Sequence, residues 1–279
     1  MSDTAPQAPK KNADLPTRFA VGVVLIAVAV VVTYLSGWPF RVLAALAAAV
    51  MLLEWAAMHR VPRIWTWLAV ALVSAALIAF AQYLYPVVGN NPAFIQTDDV
   101  EAVWLGFAAI GAAAVVVGLL SRRIAMGWGI LYIGIPAFAL VALNWAWSEL
   151  VLWLFFIVWA TDIFAYFAGR SIGGPKLAPR ISPNKTWAGL IGGMAGAAVV
   201  GGVAAYVFEL DRLFLLAGAP MGLLAQLGDL YESKVKRRLG VKDSGTIIPG
   251  HGGVLDRLDG LLPVAIATLL LLMLVLRGA

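Results

Sequence analysis

The chain has 279 residues, of which 62% are hydrophobic and 13% charged, with a formal net charge of +5. Soluble domains carry about 25% charged residues, and the mean hydropathy here is +0.90, so composition excludes a soluble globular protein. It predicts an all-α, polytopic membrane protein. Because cysteine is absent, disulfides and thiolate metal sites are excluded. Any metal must be bound by oxygen ligands or by His59 or His251.

Residues 1–18 are polar and lack an apolar period, which predicts a disordered cytoplasmic tail. Nine apolar segments of membrane-spanning length follow. The first is too long for the apolar core of a signal peptide and is expected to remain as a membrane helix. The predicted spans are Phe19–Trp38, Phe40–Met58, Ile64–Tyr83, Val100–Leu120, Ile124–Trp145, Leu150–Phe167, Trp187–Phe208, Leu213–Leu230 and Leu261–Leu276.

Basic residues are concentrated in alternate loops. The tail and the loops after the second, fourth, sixth and eighth spans carry 17 of the 20 Lys and Arg residues. The positive-inside rule therefore places the N-terminus and these loops in the cytoplasm. We expect a multi-pass protein of the cell membrane, the inner membrane if the cell is Gram-negative. Because the basic groups follow topology, the isoelectric point near 9.6 is no evidence for nucleic-acid binding. We expect the lipid bilayer as a partner and no nucleic acid.

Glu54 lies inside the predicted second span, where a carboxylate is costly. It either lines a polar cavity, or it is protonated or hydrogen-bonded between helices near the membrane interface. The sequence leaves both interpretations open.

The sixth span also contains polar residues. Asp162, Tyr166 and Arg170 follow one another at intervals of about one helical turn and share one helical face. They either line a cavity near the cytoplasmic end, or Asp162 is a structural acid paired with a basic group.

The loop after the sixth span is rich in glycine and basic residues. Gly173-Gly174-Pro175 must turn, and successive backbone N–H groups in such a turn can bind an anion. Three basic residues follow: Lys176, Arg180 and Lys185. The alternative is a basic loop that only sets topology. The many glycines of the seventh span indicate close helix packing, not a phosphate-binding loop.

The segment from Asp229 to Asp259 is the most highly charged part of the chain. It contains six Lys or Arg residues and five carboxylates, which are Asp229, Glu232, Asp243, Asp256 and Asp259. Carboxylates from two helix ends can bind one or two Mg²⁺ ions, and Lys and Arg bind phosphate. This combination predicts chemistry on a nucleotide or a phospholipid.

Residues 233–259, SKVKRRLGVKDSGTIIPGHGGVLDRLD, closely resemble the signature of the phosphatidate cytidylyltransferases, also called CDP-diacylglycerol synthases. The matching positions are Ser233, Lys236, Arg237, Lys242, Asp243, Pro249, His251, Gly252, Gly253, Asp256, Arg257 and Asp259. Residues 162–189 are similar to a second region of the family, at Ala165-Tyr166, Gly169-Arg170, Ser182-Pro183 and Lys185-Thr186. The chain departs from the family at Ala188, where many members carry Glu.

This resemblance implies that CTP and phosphatidate react, with Mg²⁺, to give CDP-diacylglycerol and diphosphate by direct attack of the lipid phosphate on the α-phosphorus. Asp229 and Asp256 are the expected principal metal ligands, and Asp259 is a further ligand or supporting acid. Lys236 and Arg237 complete the expected catalytic set. The expected substrate-binding residues are Asp162, Tyr166, Arg170, Ser182, Lys185, Thr186, Ser233, Lys242, Asp243, His251 and Arg257.

Residues 19–149 are then N-terminal transmembrane helices, and residues 150–279 form a C-terminal catalytic domain with cytoplasmic loops 168–186 and 231–260. Two other functions are alternatives to this one. A CDP-alcohol phosphotransferase would carry the pattern D-G-x2-A-R-x8-G-x3-D-x3-D, which is absent. A transporter of an anionic solute would show paired, interrupted apolar segments in its two halves. The oligomeric state stays open, with a homodimer among the alternatives.

Overall fold

The computed structural model describes residues 15–84, 97–247 and 252–278. These residues form nine long helices, one short helix and one two-stranded hairpin. The helices are α1 (Leu15–Leu35), α2 (Gly37–Met58), α3 (Arg63–Leu84), α4 (Thr97–Leu120), α5 (Ile124–Ala146), α6 (Ser148–Ser171), α7 (Trp187–Val207), α8 (Arg212–Arg238), α9 (Leu255–Leu258) and α10 (Leu261–Gly278). The hairpin pairs β1 (Lys176–Ala178) with β2 (Ser182–Thr186) in antiparallel fashion.

The helices confirm an all-α, multi-pass membrane protein. In the described parts of the chain, six helices are long and apolar enough to cross a membrane: α2, α4, α5, α6, α7 and α8. Shorter apolar stretches occur in the other three long helices, at Ala20–Leu35, Arg63–Ala79 and Leu261–Arg277. Each of the nine predicted spans thus coincides with a helix. The hairpin is an addition that hydropathy did not predict.

Several boundaries differ from the prediction, most of all the end of α8. Helix α1 begins at Leu15, within the segment expected to be a tail, and α8 continues past Leu230 to Arg238. Asp211 caps the start of α8 by accepting the backbone N–H of Leu213 (2.8 Å). The last turn contains Lys236, Arg237 and Arg238, whose charges suit the carbonyl end of a helix. The first part of the predicted loop 231–260 is therefore helical.

Helices α6, α7 and α8 approach one another through glycine. A Cβ atom added at Gly218 of α8 would overlap the backbone carbonyl of Ala197 in α7. One added at Gly222 would lie 2.7 Å from the Cβ of Ala197 and 3.1 Å from the hydroxyl of Thr161 in α6. In α7 itself, a Cβ atom added at Gly193 would lie 3.0 Å from the backbone carbonyl oxygen of Thr161, so the packing interpretation of the glycine-rich seventh span is confirmed.

The predicted cytoplasmic loops meet at one end of the helices. The indole N–H of Trp55, near the end of α2, donates to the carbonyl of Ala125 at the start of α5 (2.8 Å). Lys185, in the hairpin after α6, forms an ion pair with Asp229 of α8 (2.6 Å). Gly173 and Gly174 turn the chain into the hairpin with φ of 66° and 90°, values that favour glycine. The basic loops are thus brought together in space.

We predict that Gly218→Ala destabilises the protein by about 1–3 kcal/mol, because the added methyl group would force the α7 and α8 backbones apart. The melting temperature of the purified protein in detergent measures the effect. Gly111→Ala in α4 is the matched control, since nothing lies within 4 Å of its added Cβ. Equal melting temperatures for the two variants would contradict the packing argument.

Candidate active site

One face of α8 carries the centre of the candidate site. Asp229, Glu232, Ser233 and Lys236 are spaced three or four residues apart, so their side chains lie on the same side of the helix. The Ser233 hydroxyl donates to Asp229 Oδ1 (3.2 Å), and Lys236 Nζ lies 3.2 Å from Glu232 Oε2. Glu232 is completely buried. This face could form only because α8 continues beyond its apolar part.

The β hairpin lies beside this face and contributes a second cation. Lys185 of β2 places its ammonium group 2.6 Å from Asp229 Oδ2. The guanidinium of Arg237 donates to the carbonyl of Ile181 (3.4 Å), which holds the hairpin against the end of α8. The structure therefore brings together Lys185, Asp229 and Ser233, as the sequence predicted, and it places Arg237 at the hairpin turn.

Asp256 in α9 is held by four short contacts. Lys236 Nζ lies 2.6 Å from its Oδ1. The backbone N–H of Ser244 donates to both oxygens (3.1 and 2.9 Å), and that of Gly253 donates to Oδ2 (2.9 Å). Burial alone would raise the pKa of Asp256, but the Lys236 bond and these N–H donors outweigh it and lower the pKa below its usual value. Asp256 is consequently ionised at neutral pH.

Asp259 lies just after α9 and accepts the backbone N–H of Gly260 (2.7 Å). Burial raises its pKa well above the usual value, and the negative charges of Asp229 and Glu232 raise it further. Both causes act against the charged form of the carboxyl group, and a nearby cation would offset them. Asp259 therefore differs from Asp256 in having nearby acids in place of an ammonium partner.

Of the three polar residues predicted to line a cavity from α6, only Asp162 is connected to this centre. Asp162 interacts electrostatically with Asp229, Lys185 and Arg257, so it belongs to the same charged environment. Tyr166 and Arg170 instead contact each other, with the guanidinium donating to the phenol oxygen (2.9 Å). Asp162 is thus placed at the site, whereas Tyr166 and Arg170 form a separate exposed pair.

The remaining predicted residues occupy varied positions. Thr186 is buried and caps α7, because its hydroxyl oxygen accepts the backbone N–H of Gly189 (3.0 Å). Ser182 begins β2 next to the Arg237 contact. Lys242 and Asp243 are exposed in the segment that leads to Ser244. His251 lies outside the described residues.

Sequence reasoning did not assign the buried Glu54 or the partly buried Tyr132 to the site. Glu54 of α2 accepts hydrogen bonds from the segment around Asp256, so the hydrogen-bonded interpretation is supported, with loop groups as donors. The Tyr132 ring of α5 lies tilted against the ring of Tyr231, with centroids 5.0 Å apart. Its buried hydroxyl has no hydrogen-bond partner among the described residues. An acid inside an apolar span was the only sequence signal for Glu54, and Tyr132 gave none.

The predicted Mg²⁺ ligands Asp229 and Asp256 each accept an ammonium group at 2.6 Å. Across residues 15–84, 97–247 and 252–278, no group of three or more His, Asp or Glu side chains is arranged to hold a metal by itself. A Mg²⁺ site often needs only one or two carboxylates, because water and substrate phosphates complete the shell. The oxygen donors therefore fit Mg²⁺ bound together with a phosphate substrate, and each ammonium group marks where a cation is favoured.

A cavity of about 510 Å³ lies at the other end of the helices. It is lined by apolar side chains and by the carboxylates Glu149, Glu209 and Asp211. Its lining contains no Lys or Arg among the described residues, so it lacks the cations that phosphate binding requires. The phosphate chemistry belongs at the opposite, C-terminal end of α8.

Comparison with known proteins gives a consistent family match. A model of the cytidylyltransferase family matches residues 16–275. The chain is 38% identical over 280 aligned positions to a phosphatidate cytidylyltransferase of Brucella abortus, covering 93% of each chain. It is 42% identical over 152 positions to a protein of the same name from Rickettsia bellii, covering 49% of this chain and 64% of the relative. A Haemophilus influenzae protein of that name is 46% identical over 120 positions, covering 40% and 41%.

We predict that Lys236→Met destabilises the protein by about 3–5 kcal/mol, because it leaves the buried carboxylates Glu232 and Asp256 without their cation. Chemical unfolding in detergent provides the measurement. Lys234→Met is the matched control, since Lys234 is exposed on the same helix and its loss should change stability little. Adding Glu232→Gln to Lys236→Met should restore part of the loss. A stable single variant would show that the ion pairs contribute little.

Proposed function

We propose that this chain, which belongs to the cytidylyltransferase family, is a phosphatidate cytidylyltransferase that converts CTP and phosphatidate into CDP-diacylglycerol and diphosphate. Full-length relatives with that name support the assignment. The observation that carries it is the pairing of two acids with two lysines along one face of α8, Asp229 with Lys185 and Asp256 with Lys236. When substrate binds, the two carboxylates of such a set can bind metal and the two lysines can bind phosphate in place of each other.

The reaction joins two anionic substrates. A phosphate oxygen of phosphatidate attacks the α-phosphorus of CTP, the bond from that phosphorus to the β-phosphate oxygen breaks, and diphosphate leaves with the electron pair. This direct displacement needs no protein nucleophile. It depends on bringing the two phosphates into line and on offsetting their repulsion. The buried charges beside α8 are suited to both tasks.

The lysines are the groups that would change partner on substrate binding. Lys185 and Lys236 neutralise carboxylates in the structure, and a triphosphate would offer each a more highly charged acceptor. Arg237 and Arg257 have exposed side chains and can bind further phosphate oxygens. Ser233, Asp162 and the exposed Lys242 can contact the remaining polar parts of the substrates. Asp243 and His251 stay as proposed substrate contacts on the motif alone.

Asp229, Asp256 and Asp259 would hold Mg²⁺ as the lysines turn to phosphate. The ion would offset charge on the phosphates in the transition state. The chain's own part is to present these oxygens without rearranging the backbone, since N–H donors already fix Asp256. Asp259, whose pKa is raised by burial and by neighbouring acids, would gain a compensating positive charge from the ion.

We also propose that the site faces the cytoplasm, at the inner membrane of a Gram-negative cell. The concentration of Lys and Arg in alternate loops supports this orientation. CTP then reaches the site from the cytoplasm, while the two acyl chains of phosphatidate stay in the bilayer. A site at the ends of α6 and α8 meets both requirements.

We predict that purified protein in micelles releases diphosphate only when phosphatidate, CTP and Mg²⁺ are all present. Asp229→Asn and Asp256→Asn should each lower the rate by at least about 100-fold, because each removes charge from the reacting centre. The rate of diphosphate release under saturating substrates gives the result directly.

Asp211→Asn is the matched control and should keep the wild-type rate. Asp211 caps α8 at the opposite end, and asparagine caps a helix as well as aspartate does. Release that persists in Asp256→Asn would remove this residue from the reaction. Absence of release by the wild-type protein under every lipid and metal condition would overturn the proposed activity.

A further inference from the structure

We propose that Glu54, in the N-terminal half of the chain, is a positioning residue that holds Asp256 in place for the reaction. This inference rests on the proposed function for its catalytic consequence. Glu54 is 3% exposed and lies four residues before the end of α2. It belongs to none of the motifs that predicted the site, and it is separated from Asp256 by about two hundred positions in the sequence.

The Glu54 carboxylate binds the start of α9. Its Oε1 accepts the backbone N–H of Val254 (2.9 Å), and its Oε2 accepts that of Leu255 (2.8 Å). The Ser244 hydroxyl also donates to Oε2 (3.1 Å). All three partners are donors, and they reach both oxygens. A carboxylate satisfies every one of them, whereas an amide would turn an NH₂ group toward at least one donor.

Ser244 connects Glu54 to Asp256. Its hydroxyl donates to Glu54, while its backbone N–H donates to both oxygens of Asp256. Val254 and Leu255, the other residues that Glu54 binds, directly precede Asp256 in the chain. The position of Asp256, and with it the Lys236 ammonium group 2.6 Å away, therefore depends on Glu54 through two separate connections.

The surrounding backbone is fitted closely to the Glu54 side chain. A Cβ atom added at Gly245 would lie 2.7 Å from Glu54 Oε1. One added at Gly253 would lie 2.7 Å from each carboxylate oxygen. Only glycine permits this approach on both sides of the carboxylate. The fit indicates that the segment around Asp256 is shaped by the α2 acid and not merely adjacent to it.

Glu54 acts through other residues. Its described hydrogen bonds go to Ser244, Val254 and Leu255, none of which is among the groups proposed to bind phosphate. Loss of Glu54 should therefore misplace the reacting groups without removing a substrate contact, and a misplaced group lowers turnover more than binding.

The test compares Glu54→Gln, Ser244→Ala and the double variant with the wild-type enzyme. We expect kcat for diphosphate release to fall about 10- to 100-fold in Glu54→Gln, the range found when partners that orient a metal ligand are removed. KM for CTP should change much less. The double variant should be little worse than Glu54→Gln alone, because both substitutions break the same hydrogen bond between Ser244 and Glu54, so their effects should not add.

A second readout does not depend on activity. Hydrogen–deuterium exchange of the Val254 and Leu255 amides should be faster in Glu54→Gln than in the wild type, because these N–H groups lose their acceptors. Glu149→Gln in α6 is the matched control, since this acid lies at the opposite end beside Ser148, and it should leave both kcat and exchange unchanged.

Wild-type kcat together with wild-type exchange in Glu54→Gln would overturn the proposal. A lower melting temperature with unchanged kcat for the folded protein would also overturn it, because Glu54 would then serve stability alone. If Glu54→Gln does not fold, Ser244→Ala must by itself lower kcat for diphosphate release, because it removes the hydroxyl that joins Glu54 to the residue binding Asp256; an unchanged kcat in that variant would overturn the proposal. An inactive wild-type enzyme would count against the proposed function, while the exchange result would still decide whether Glu54 holds α9.

Discussion

The ion pair between Lys236 and Asp256, with Glu232 behind it, is the interaction on which the rest of the site depends. Charges removed from water are costly unless each meets an opposite charge and hydrogen-bond donors. Here the ammonium group reaches both acids, and backbone N–H groups fill the remaining positions on Asp256. The same requirement that stabilises the folded chain also keeps a charged set ready for anionic substrates.

This requirement explains why both halves of the chain take part. The charged motif lies near the C-terminus, yet Glu54 of α2 accepts hydrogen bonds from the segment that carries Asp256. The family match extends over residues 16–275, well beyond the motif itself. The N-terminal helices are thus more than a membrane anchor, because one of them supplies an acceptor that shapes the reacting end.

Much of this organisation could be predicted from the sequence. Apolar segment length gave the nine helices, and the distribution of Lys and Arg showed which loops lie together. The grouping of Asp229, Lys185, Lys236 and Asp256 followed from the motif. The end of α8 was predicted too early, because its last turns are stabilised by side-chain charges and site contacts that hydropathy does not register. Thr186 caps α7, a role that the motif did not indicate, and its predicted substrate contact stays a prediction.

The role of Glu54 illustrates the limit of such reasoning. An isolated acid in an apolar span indicates that a partner must exist, but its partners are backbone groups from a distant segment, which carry no side-chain signature. Local sequence cannot specify them. Tyr132 is a similar case, because a tyrosine in an apolar helix is common and its sequence context does not indicate a functional site.

The most direct test of the account follows the α-phosphorus of CTP. With CTP labelled at that phosphorus, phosphatidate and Mg²⁺, the purified protein should transfer the label into a lipid that extracts into organic solvent, whereas label at the γ-phosphorus should stay in water as diphosphate. Label from the γ-position in the lipid, or retention of the α-label in water, would contradict cytidylyl transfer at this site.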